Sequence, residues 1–574
     1  MLKQHPLEFF KREQLAARDQ QTQILDQIAA SWDKYNYFAL SLPTGVGKTY
    51  IATAIADSVK GSAYILTSTL QLQTQYEHAW DAIVNLKGRS NYQCNLNHNF
   101  TVDAAPCSAN KELVGFCKMR SICAYYNQKN KALQARAMIT NPVYMLYSTH
   151  CGFAQDEDSP WVKRDVLIID EAHNIENHLV TFAESDVDPE YYYLEFGVPT
   201  NKIQFTGVPE DDYLKVVEIQ DILKMKALEL QLKLEREFPA ASMLGMDPRE
   251  WARGITKKAA ERVERLNAKI YRLDKAIQPL KIFFNTHSTP DELSSRWLVS
   301  KVPDKNVLKL APIYGDFLFK EYFGTLADKF VFLSATLGSK YAFCKEIGVN
   351  EKDCLFLETG SPFDPAQSPV IIMPVISLAR DVKDENMHKL GPIIDDILKL
   401  HPGQRGIIHS VTYDIGTKLF QLVSPENQRR LLFRDMVELR LDLFARAGKN
   451  PGRVKLTNEE LLRKHEIEGE KYGSVLVSPS MMEGVDLVDD LSRFQVIVKL
   501  PWPYLGDLRV RAKSKLDDEW YANKMWVAVM QAAGRSTRHV NDSSVTYILD
   551  KKFEHFYRLW ERKLPDWFKS RLVF

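Results

Sequence analysis

The sequence predicts an α/β protein made of two parallel-sheet domains. Short apolar runs alternate with helix-like stretches, and the runs lack polar alternation, which is typical of strands buried on both faces of a parallel sheet. Nine such runs are too many for one ordinary sheet, so we predict two domains that divide near residues 360–363. The runs lie at 37–42, 64–68, 137–140, 166–170, 330–334, 406–410, 474–478, 495–500 and 545–550.

Length and composition support a multidomain globular protein. The 574 residues exceed the ~250–300 residues at which a single core stops growing. The apolar share is 45% and the charged share 26%, which excludes disorder and collagen-like structure. No apolar run approaches the ~20 residues of a membrane helix, and the N-terminus lacks a signal-peptide core. We therefore expect no membrane partner and an intracellular location, in the cytoplasm or nucleoid.

Charge is balanced along the chain as a whole. Lys and Arg total 75 and Asp and Glu total 74, giving a net charge of +1. A nucleic-acid site must therefore be a local patch on a neutral body. Residues 85–136 provide one, because eight basic residues there face only Asp103 and Glu112, with tyrosines and phenylalanines between them. Cations with aromatic rings suit a single-strand channel, although we expect about half of the rings to pack a small domain.

A second unusual segment spans residues 178–306 and shows helix-face spacing. Two apolar stripes step by three and four residues, so we predict an antiparallel helical hairpin that serves as scaffold. The first stripe is Val216, Ile219, Leu223, Ala227, Leu230 and Leu234, and the second is Ala259, Val263, Leu266, Ile270, Leu273 and Ile277.

A phosphate-binding loop is predicted at residues 42–49, LPTGVGKT, between a strand and a helix-like stretch. Gly45 and Gly47 permit backbone angles at which amide groups converge on phosphate oxygens. Lys48 would reach the terminal phosphates and Thr49 would ligate Mg²⁺. The alternative is a chance turn. The predicted phosphate-loop contacts are Thr44, Gly45, Val46, Gly47, Lys48 and Thr49.

Two further motifs carry the chemistry of nucleotide hydrolysis. Asp170 and Glu171 end a buried strand, where Asp170 would hold Mg²⁺ and Glu171 would polarise the attacking water. Near the C-terminus, Gln531 precedes Arg535 and Arg538, which lie one helical turn apart and would stabilise charge on the transferring phosphoryl group. A solvated acidic turn and a surface basic helix are the respective alternatives.

Four cysteines fall within 30 residues: Cys94, Cys107, Cys117 and Cys123. Four thiolates suffice for one iron–sulfur cluster, and no pair shows the two-residue spacing of a zinc ribbon, so a cluster is favoured over zinc and over buried thiols. The other cysteines, Cys151, Cys344 and Cys354, are expected to be inert core residues.

This ordered set of motifs resembles superfamily 2 helicases, and specifically the XPD/DinG family of iron–sulfur DNA helicases. LPTGVGKT resembles motif I, the segment at 170–173 motif II, 333–337 motif III, 482–487 motif V and 531–538 motif VI, while 86–94 resembles the entry to the cluster domain. The resemblance implies ATP, Mg²⁺ and a 4Fe–4S cluster as cofactors. It also implies adenine-side contacts by Arg18 and Gln21, and nucleotide contacts by Gly484 and Asp486.

The resemblance further implies a domain plan and a DNA track. A RecA-like motor domain would comprise 1–86, 131–177 and 307–360, interrupted by a cluster domain at 87–130 and a helical arch at 178–306. A second RecA-like domain would span 361–574, with a helical insert at about 435–472. Candidate DNA contacts are Thr67, Ser68, Arg89, Tyr92, Ser410, Ser478 and Glu483.

The predicted function is ATP-driven movement on single-stranded DNA, 5′ to 3′ by resemblance, with separation of duplex. Tailed or forked DNA would be the partner, and we expect a monomer. A rival of another class is an ATP-switched nucleic-acid clamp or scaffold without strand separation. A small-molecule P-loop kinase is a more distant alternative, since it needs only one α/β domain.

Overall fold

The computed structural model describes most of the chain. The described residues are 2–95, 98, 101–105, 120–150, 161–237, 257–287, 290–378, 383–433, 457–467, 469–479, 487, 489–534, 536–537 and 542–574. Within them, the chain forms two parallel sheets of seven strands each, with helices packed against both. The predicted α/β class with two RecA-like parallel-sheet domains is confirmed.

The first sheet domain contains every strand predicted before residue 360. Tyr37–Ser41 lies between Cys354–Glu358 and Ala327–Ser334, and all described pairings are parallel. Most residues of its strands are buried, which explains their largely unbroken apolar sequences. The spatial order is Cys354–Glu358, Tyr37–Ser41, Ala327–Ser334, Arg164–Asp170, Ala63–Leu66, Ala137–Thr140 and Ile83–Leu86.

Helices and turns complete the first sheet domain. Thr69 and Ser339 cap two of its helices by accepting a backbone N–H three residues on. The helices are Leu7–Arg12, Asp19–Ser31, Lys48–Ser58, Leu70–Ala79, Ala124–Gln134, Pro142–His150, Ile175–Ala183, Asp316–Tyr322 and Lys340–Glu346.

The second sheet domain follows after Glu358 and begins with the strand Val370–Ile376. Its strands, in spatial order, are Leu431–Phe433, Val475–Ser478, Gly406–His409, Phe494–Ile497, Val545–Asp550, Val370–Ile376 and Leu572–Val573. Its helices are Lys383–Leu400, Tyr413–Leu422, Pro425–Gln428, Asn458–Ile467, Leu508–Leu516, Asp518–Ala533, Phe553–Trp560 and Asp566–Lys569.

The segment between the motif II strand and motif III contains two long helices, Pro209–Glu237 and Lys257–Asn285, which contact each other. Both predicted stripes pack into the core from these helices, although the side chain of Ala259 lies outside the described residues. The segment also holds shorter helices, Pro189–Phe196 and Pro290–Arg296.

An antiparallel sheet of three described strands supports the base of this helical segment. Leu308–Pro312 pairs with Ser185–Val187 on one side and with Trp297–Lys301 on the other. The sequence analysis predicted a mainly helical segment here and did not identify these strands, because each strand is short and only part of one face is apolar.

A buried ion network joins the two sheet domains. Glu176 of the first domain pairs with Lys513 and with Arg509, whose Nη2 lies 3.1 Å from Glu176 Oε1. Glu346 pairs with Lys524 at 2.7 Å. Glu176 and Lys513 are 1% and 0% exposed, so their charges are removed from water. Burial by itself raises the pKa of Glu176, but Lys513 and Arg509 lower it to about 2.

Hydrogen bonds along the helix Asp518–Ala533 extend this contact. Trp520 Nε1 donates to Glu346 at 2.6 Å, and Ser339 N donates to Asn523 Oδ1 at 2.7 Å. Asp517, the N-cap of the helix, pairs with Lys345 at 2.7 Å. The helix that leads into motif VI is therefore fixed to the first sheet domain along its N-terminal half.

Candidate nucleotide and nucleic-acid sites

The predicted phosphate loop lies between the strand Tyr37–Ser41 and the helix Lys48–Ser58. Gly45 and Gly47 have φ values of 86° and 87°, in the region that disfavours side chains. A Cβ on Gly47 would lie 2.5 Å from Gln21 Nε2, and one on Gly45 would collide with the ring of Phe363. The two glycines are therefore required by backbone angle and by close neighbours.

Leu42 stands at the first position of the loop, where the general phosphate-loop pattern has glycine, and Val46 lies between Gly45 and Gly47. Both side chains are fully buried in the core beside Ile51, and Leu42 N donates to Ser334 O at 2.8 Å. Position 42 thus fastens the loop to the strand of motif III. Other residues of the loop, among them Gly45, Gly47 and Lys48, line the cavity beside it.

Arg18 and Gln21 meet at the start of the helix Asp19–Ser31. Gln21 Oε1 accepts from Arg18 N at 2.9 Å, and the Arg18 guanidinium donates to Gly45 O. Both side chains line the same cavity as Lys48. They support one side of the phosphate loop.

Asp170 and Glu171 stand at the carboxyl end of their strand, opposite the loop. The Tyr76 hydroxyl donates to Asp170 Oδ2 at 3.0 Å, an interaction that could not be predicted because the two residues are 94 positions apart in the sequence. Burial raises the pKa of Asp170 to about 6, Glu171 adds to the rise, and Lys48 opposes it. The Thr49 hydroxyl and the Asp170 carboxylate line one cavity, and such hard oxygen donors suit Mg²⁺.

His173 connects motif II to motif III. Its Nδ1 lies 2.8 Å from Ser334 Oγ and 3.4 Å from Glu171 Oε2. Thr336 N donates to the same Ser334 oxygen at 3.2 Å. A change at the acidic pair therefore has a direct polar path to the loop after Ser334.

A cleft of about 810 Å³ lies between the two sheet domains. We call it the nucleotide cleft. One wall carries the phosphate loop and the acidic pair, and the other carries Gln531, Gly534 and Thr537 of motif VI. A Cβ on Gly534 would lie 3.6 Å from Thr44 Oγ1, so the two walls nearly touch. Arg535, Arg538, Gly484 and Asp486 lie outside the described residues.

A second cavity of about 480 Å³ lies beside the first sheet domain. We call it the side cavity. Ser68 and Arg89 line it together with Asn267, Tyr271 and Lys275 of the second long helix. Asn267 Nδ2 also donates to Ala104 O at 3.3 Å, which joins that helix to the cysteine segment. Three separate parts of the chain meet at this cavity.

The other predicted DNA contacts are less accessible. Thr67, Ser410 and Ser478 are buried. Tyr92 packs against the core and accepts from Lys87 N at 3.1 Å. Glu483 lies outside the described residues. Of the predicted set, Ser68 and Arg89 line a cavity in this conformation.

The cysteine segment is described only in part. Cys94 is buried and Cys123 half-buried, both as free thiols, whereas Cys107 and Cys117 lie outside the described residues. Among described residues, no group of three or more His, Cys, Asp or Glu side chains is placed to hold a metal ion. Elsewhere, Cys344 and Cys354 are free and buried, and Cys151 also falls outside the description.

A phosphate loop, an acidic strand end and a second sheet domain facing them define a two-domain nucleoside triphosphatase of RecA-like architecture. Two family models match the chain: "Type III restriction enzyme, res subunit" over residues 14–211, and "Helicase C-terminal domain" over residues 422–571. The first match contains the phosphate loop and the acidic pair, and the second contains motif VI.

Curated relatives and solved structures agree with these models. The ATP-dependent DNA helicase CHL1 of Candida albicans is 34% identical over 149 residues, covering 22% of this chain and 17% of that protein. A Fanconi anemia group J protein homolog of Gallus gallus is 26% identical over 140 residues, 21% of this chain and 11% of that protein. The chain thus matches less than a fifth of the length of these relatives.

Solved XPD structures share the fold over nearly the whole chain. A structure of an XPD helicase covers 97% of this chain and 99% of its own, with TM-score 0.60 and 15% identity. S. tokodaii Xpd4 covers 97% and 100%, with TM-score 0.52 and 14% identity. The two family models, the helicase relatives and the shared fold together support an XPD-like superfamily 2 DNA helicase. In addition, no helix in the described part of the chain is long and apolar enough to cross a membrane.

Proposed function

We propose that this protein is a DNA-dependent ATPase that moves on single-stranded DNA and separates duplex, 5′ to 3′ by family resemblance. The observation that carries the proposal is the nucleotide cleft, in which the phosphate loop of one sheet domain faces motif VI of the other. A site divided between two domains links nucleotide state to domain closure. Movement along a strand requires such a link.

The residues of the cleft divide the work of hydrolysis. Lys48 would contact the terminal phosphates, and Glu171 would orient the attacking water. Thr49 and Asp170 would hold Mg²⁺, which supplies charge neutralisation when bound. From the opposite wall, Gln531 would contact the γ-phosphate, and Arg535 and Arg538 would stabilise the transition state. The adenine side would be formed by Arg18 and Gln21, and Gly484 and Asp486 would complete the nucleotide contacts.

The DNA track is proposed to pass the side cavity. Ser68 connects it to the nucleotide cleft, because Ser68 lines both cavities. Its Oγ also lies 3.1 Å from His178 Nε2, on the helix that follows motif II. Arg89 and Lys275 supply cations, and Tyr271 supplies a ring that is 54% exposed. Cations would contact the phosphates of the DNA backbone, and the ring would stack on a base. Binding would therefore be independent of sequence and sensitive to salt.

A 4Fe–4S cluster on Cys94, Cys107, Cys117 and Cys123 is part of the proposal. The segment is too short to bury a core of its own, and a cluster would fix it to the first sheet domain. Iron and sulfide content of anaerobically purified protein tests this. Four irons and a visible absorption band support the cluster, and one zinc or no metal contradicts it. Cys117→Ser is expected to abolish strand separation while ATP binding persists.

The domain plan and the assembly state also belong to the proposal. The first motor domain would comprise 1–86, 131–177 and 307–360, and the second 361–574 with its insert at 435–472. The cluster domain at 87–130 and the arch at 178–306 would frame the strand. The protein would act as a monomer, in the cytoplasm or nucleoid, on tailed or forked DNA.

Strand displacement decides between this proposal and an ATP-switched clamp. A duplex with a 5′ single-stranded tail is incubated with ATP, and release of the labelled strand is measured. Lys48→Ala serves as the matched inactive control. Release by the wild type alone supports the helicase, whereas DNA-stimulated hydrolysis without release would favour the clamp.

A further inference from the structure

Arg571 occupies a place in the nucleotide cleft that none of the recognised motifs explains. Its side chain lines the cleft with Gln531 and Gly534, although it follows motif VI by more than thirty residues. The residue is only 6% exposed. A guanidinium that is buried at the wall of a phosphate site needs a negative charge to compensate its own.

Neutral carbonyl groups are its partners in the described part of the chain. Nε donates to Ser368 O at 2.6 Å and Nη2 donates to Ala533 O at 3.1 Å. No carboxylate of a described residue lies within 4.0 Å of it, which separates it from the paired cations of the ion network. The hydrogen bonds of Arg571 to described residues come from Nε and Nη2, and none comes from Nη1. Burial, with no opposing charge, lowers the pKa of Arg571 to about 10 and leaves it cationic at neutral pH.

The backbone holds this side chain in place. Arg571 O accepts from Val370 N at 2.7 Å, and the next residues, Leu572–Val573, pair with the strand Val370–Ile376. The carbonyl of Ala533 ends the helix that presents Gln531, and Gly534 beside it approaches Thr44 of the phosphate loop. Arg571 is thus held beside the end of the motif VI helix, where Gly534 approaches the phosphate loop.

A second polar group on the same segment points the same way. Trp567 also lines the cleft, and its Nε1 is buried without a hydrogen-bond acceptor in the described structure. Two donors without acceptors, one of them charged, favour an anionic ligand over a neutral one.

We propose that Arg571 is a further guanidinium of the nucleotide site, binding the phosphate chain of ATP through Nη1 while Nη2 holds the end of the helix Asp518–Ala533 and Nε holds the carbonyl of Ser368. The inference rests on the proposed ATP site. It assigns the helix Asp566–Lys569 and the residue Arg571 that follows it to the nucleotide wall of the second sheet domain. An uncompensated buried cation is costly, and a bound polyphosphate removes that cost.

The test measures equilibrium binding of the non-hydrolysable analogue AMP-PNP with Mg²⁺ by calorimetry, at low and high salt. Arg571→Ala is expected to weaken binding about tenfold or more, and Arg571→Lys, which keeps the charge, to remain within about threefold of the wild type. Arg571→Gln keeps a hydrogen-bond donor for the carbonyls but lacks the charge, and it is expected to bind as weakly as the alanine variant.

Arg430 provides a matched control. It lies in the same sheet domain and donates to four carbonyls, among them Gly473 O and His401 O at 2.9 Å, but it lines neither cavity. Arg430→Ala should lower the unfolding temperature and leave AMP-PNP affinity within twofold. If Arg571→Gln binds like the wild type, Arg571 is only a brace and the inference is wrong. A wild type that fails to bind AMP-PNP would instead contradict the proposed function itself.

Discussion

The two sheet domains meet in two regions of opposite character. In the nucleotide cleft, Lys48 and Arg571 line an open cavity of about 810 Å³. In the ion network, Glu176 and Glu346 are buried against Lys513, Arg509 and Lys524, and no cavity separates the partners. In the first region, charged side chains line a cavity in which a bound ligand would pair with them. The second is already complete, so it holds the domains together whether or not nucleotide is bound.

This difference suggests how the domains move. Closure on nucleotide changes the open region, whereas the buried network resists separation because each charge depends on its partner. The helix Asp518–Ala533 connects the two regions, with the network along its first half and Gln531 near its end. The helix therefore links the ion network, which stays closed, to the nucleotide cleft, which changes on closure.

The largest effect is expected at the open region. Arg535→Ala should reduce DNA-stimulated ATP hydrolysis by ~10³-fold or more, because the contact between its guanidinium and the transferring phosphoryl group strengthens in the transition state. ATP affinity and the unfolding temperature should change little. Phosphate release and equilibrium ATP binding provide the comparison. An equal fall in ATP affinity and in turnover would show that Arg535 does not act on the transition state.

The next effect tests the closed region. Glu176→Gln leaves Lys513 and Arg509 without their carboxylate and should cost about 3–5 kcal/mol of unfolding free energy. Glu554→Gln removes an exposed partner of Arg558 and should stay within about 0.5 kcal/mol of the wild type. Urea unfolding measures both. Similar unfolding midpoints for the two variants would show that the buried ion network stabilises the fold no more than an exposed ion pair does.

Acidity provides a graded version of the same test. The pKa of Glu176 is about 2 in the folded protein against 4.5 ordinarily, so its ionised form stabilises the fold above pH 4.5. That contribution is lost as the pH falls from 4.5 towards 2, because the protonated carboxyl resembles glutamine. The stability gap between wild type and Glu176→Gln should narrow over this window. A gap independent of pH would argue against an ionised Glu176.

The smallest effect concerns Tyr76, whose hydroxyl donates to Asp170 at 3.0 Å. Tyr76→Phe keeps the ring in its buried place and removes one hydrogen bond, which is worth about 1 kcal/mol. We expect the Mg²⁺ concentration for half-maximal hydrolysis to shift several-fold. An unchanged Mg²⁺ dependence would mean that the hydroxyl does not tune the acidic pair.

The strands and the phosphate loop could be predicted because their signals are local. The run at 166–170 is apolar up to Asp170, and Glu171 follows it. These few residues predict both the buried strand and the catalytic carboxylates at its end. The loop at 42–49 does the same, since its glycines and lysine are neighbours in sequence. Patterns of this kind can be recognised in the sequence without knowing which residues pack against them.

The ion network and Arg571 could not be predicted, because their meaning depends on distant partners. Glu176 and Lys513 are separated by 337 positions, and each looks like an ordinary charge on an amphipathic helix. Arg571 lies just before Leu572–Val573, a two-residue strand too short for any periodicity. Such residues acquire a role only when the sheets bring separate parts of the chain together.

Hydrogen–deuterium exchange with and without Mg²⁺ and AMP-PNP tests the central claim most directly, that one nucleotide is held by both sheet domains. The account predicts slower exchange in two stretches together, 44–49 of the phosphate loop and 530–537 of motif VI. Protection confined to 44–49, with motif VI unchanged at saturating nucleotide, would contradict it.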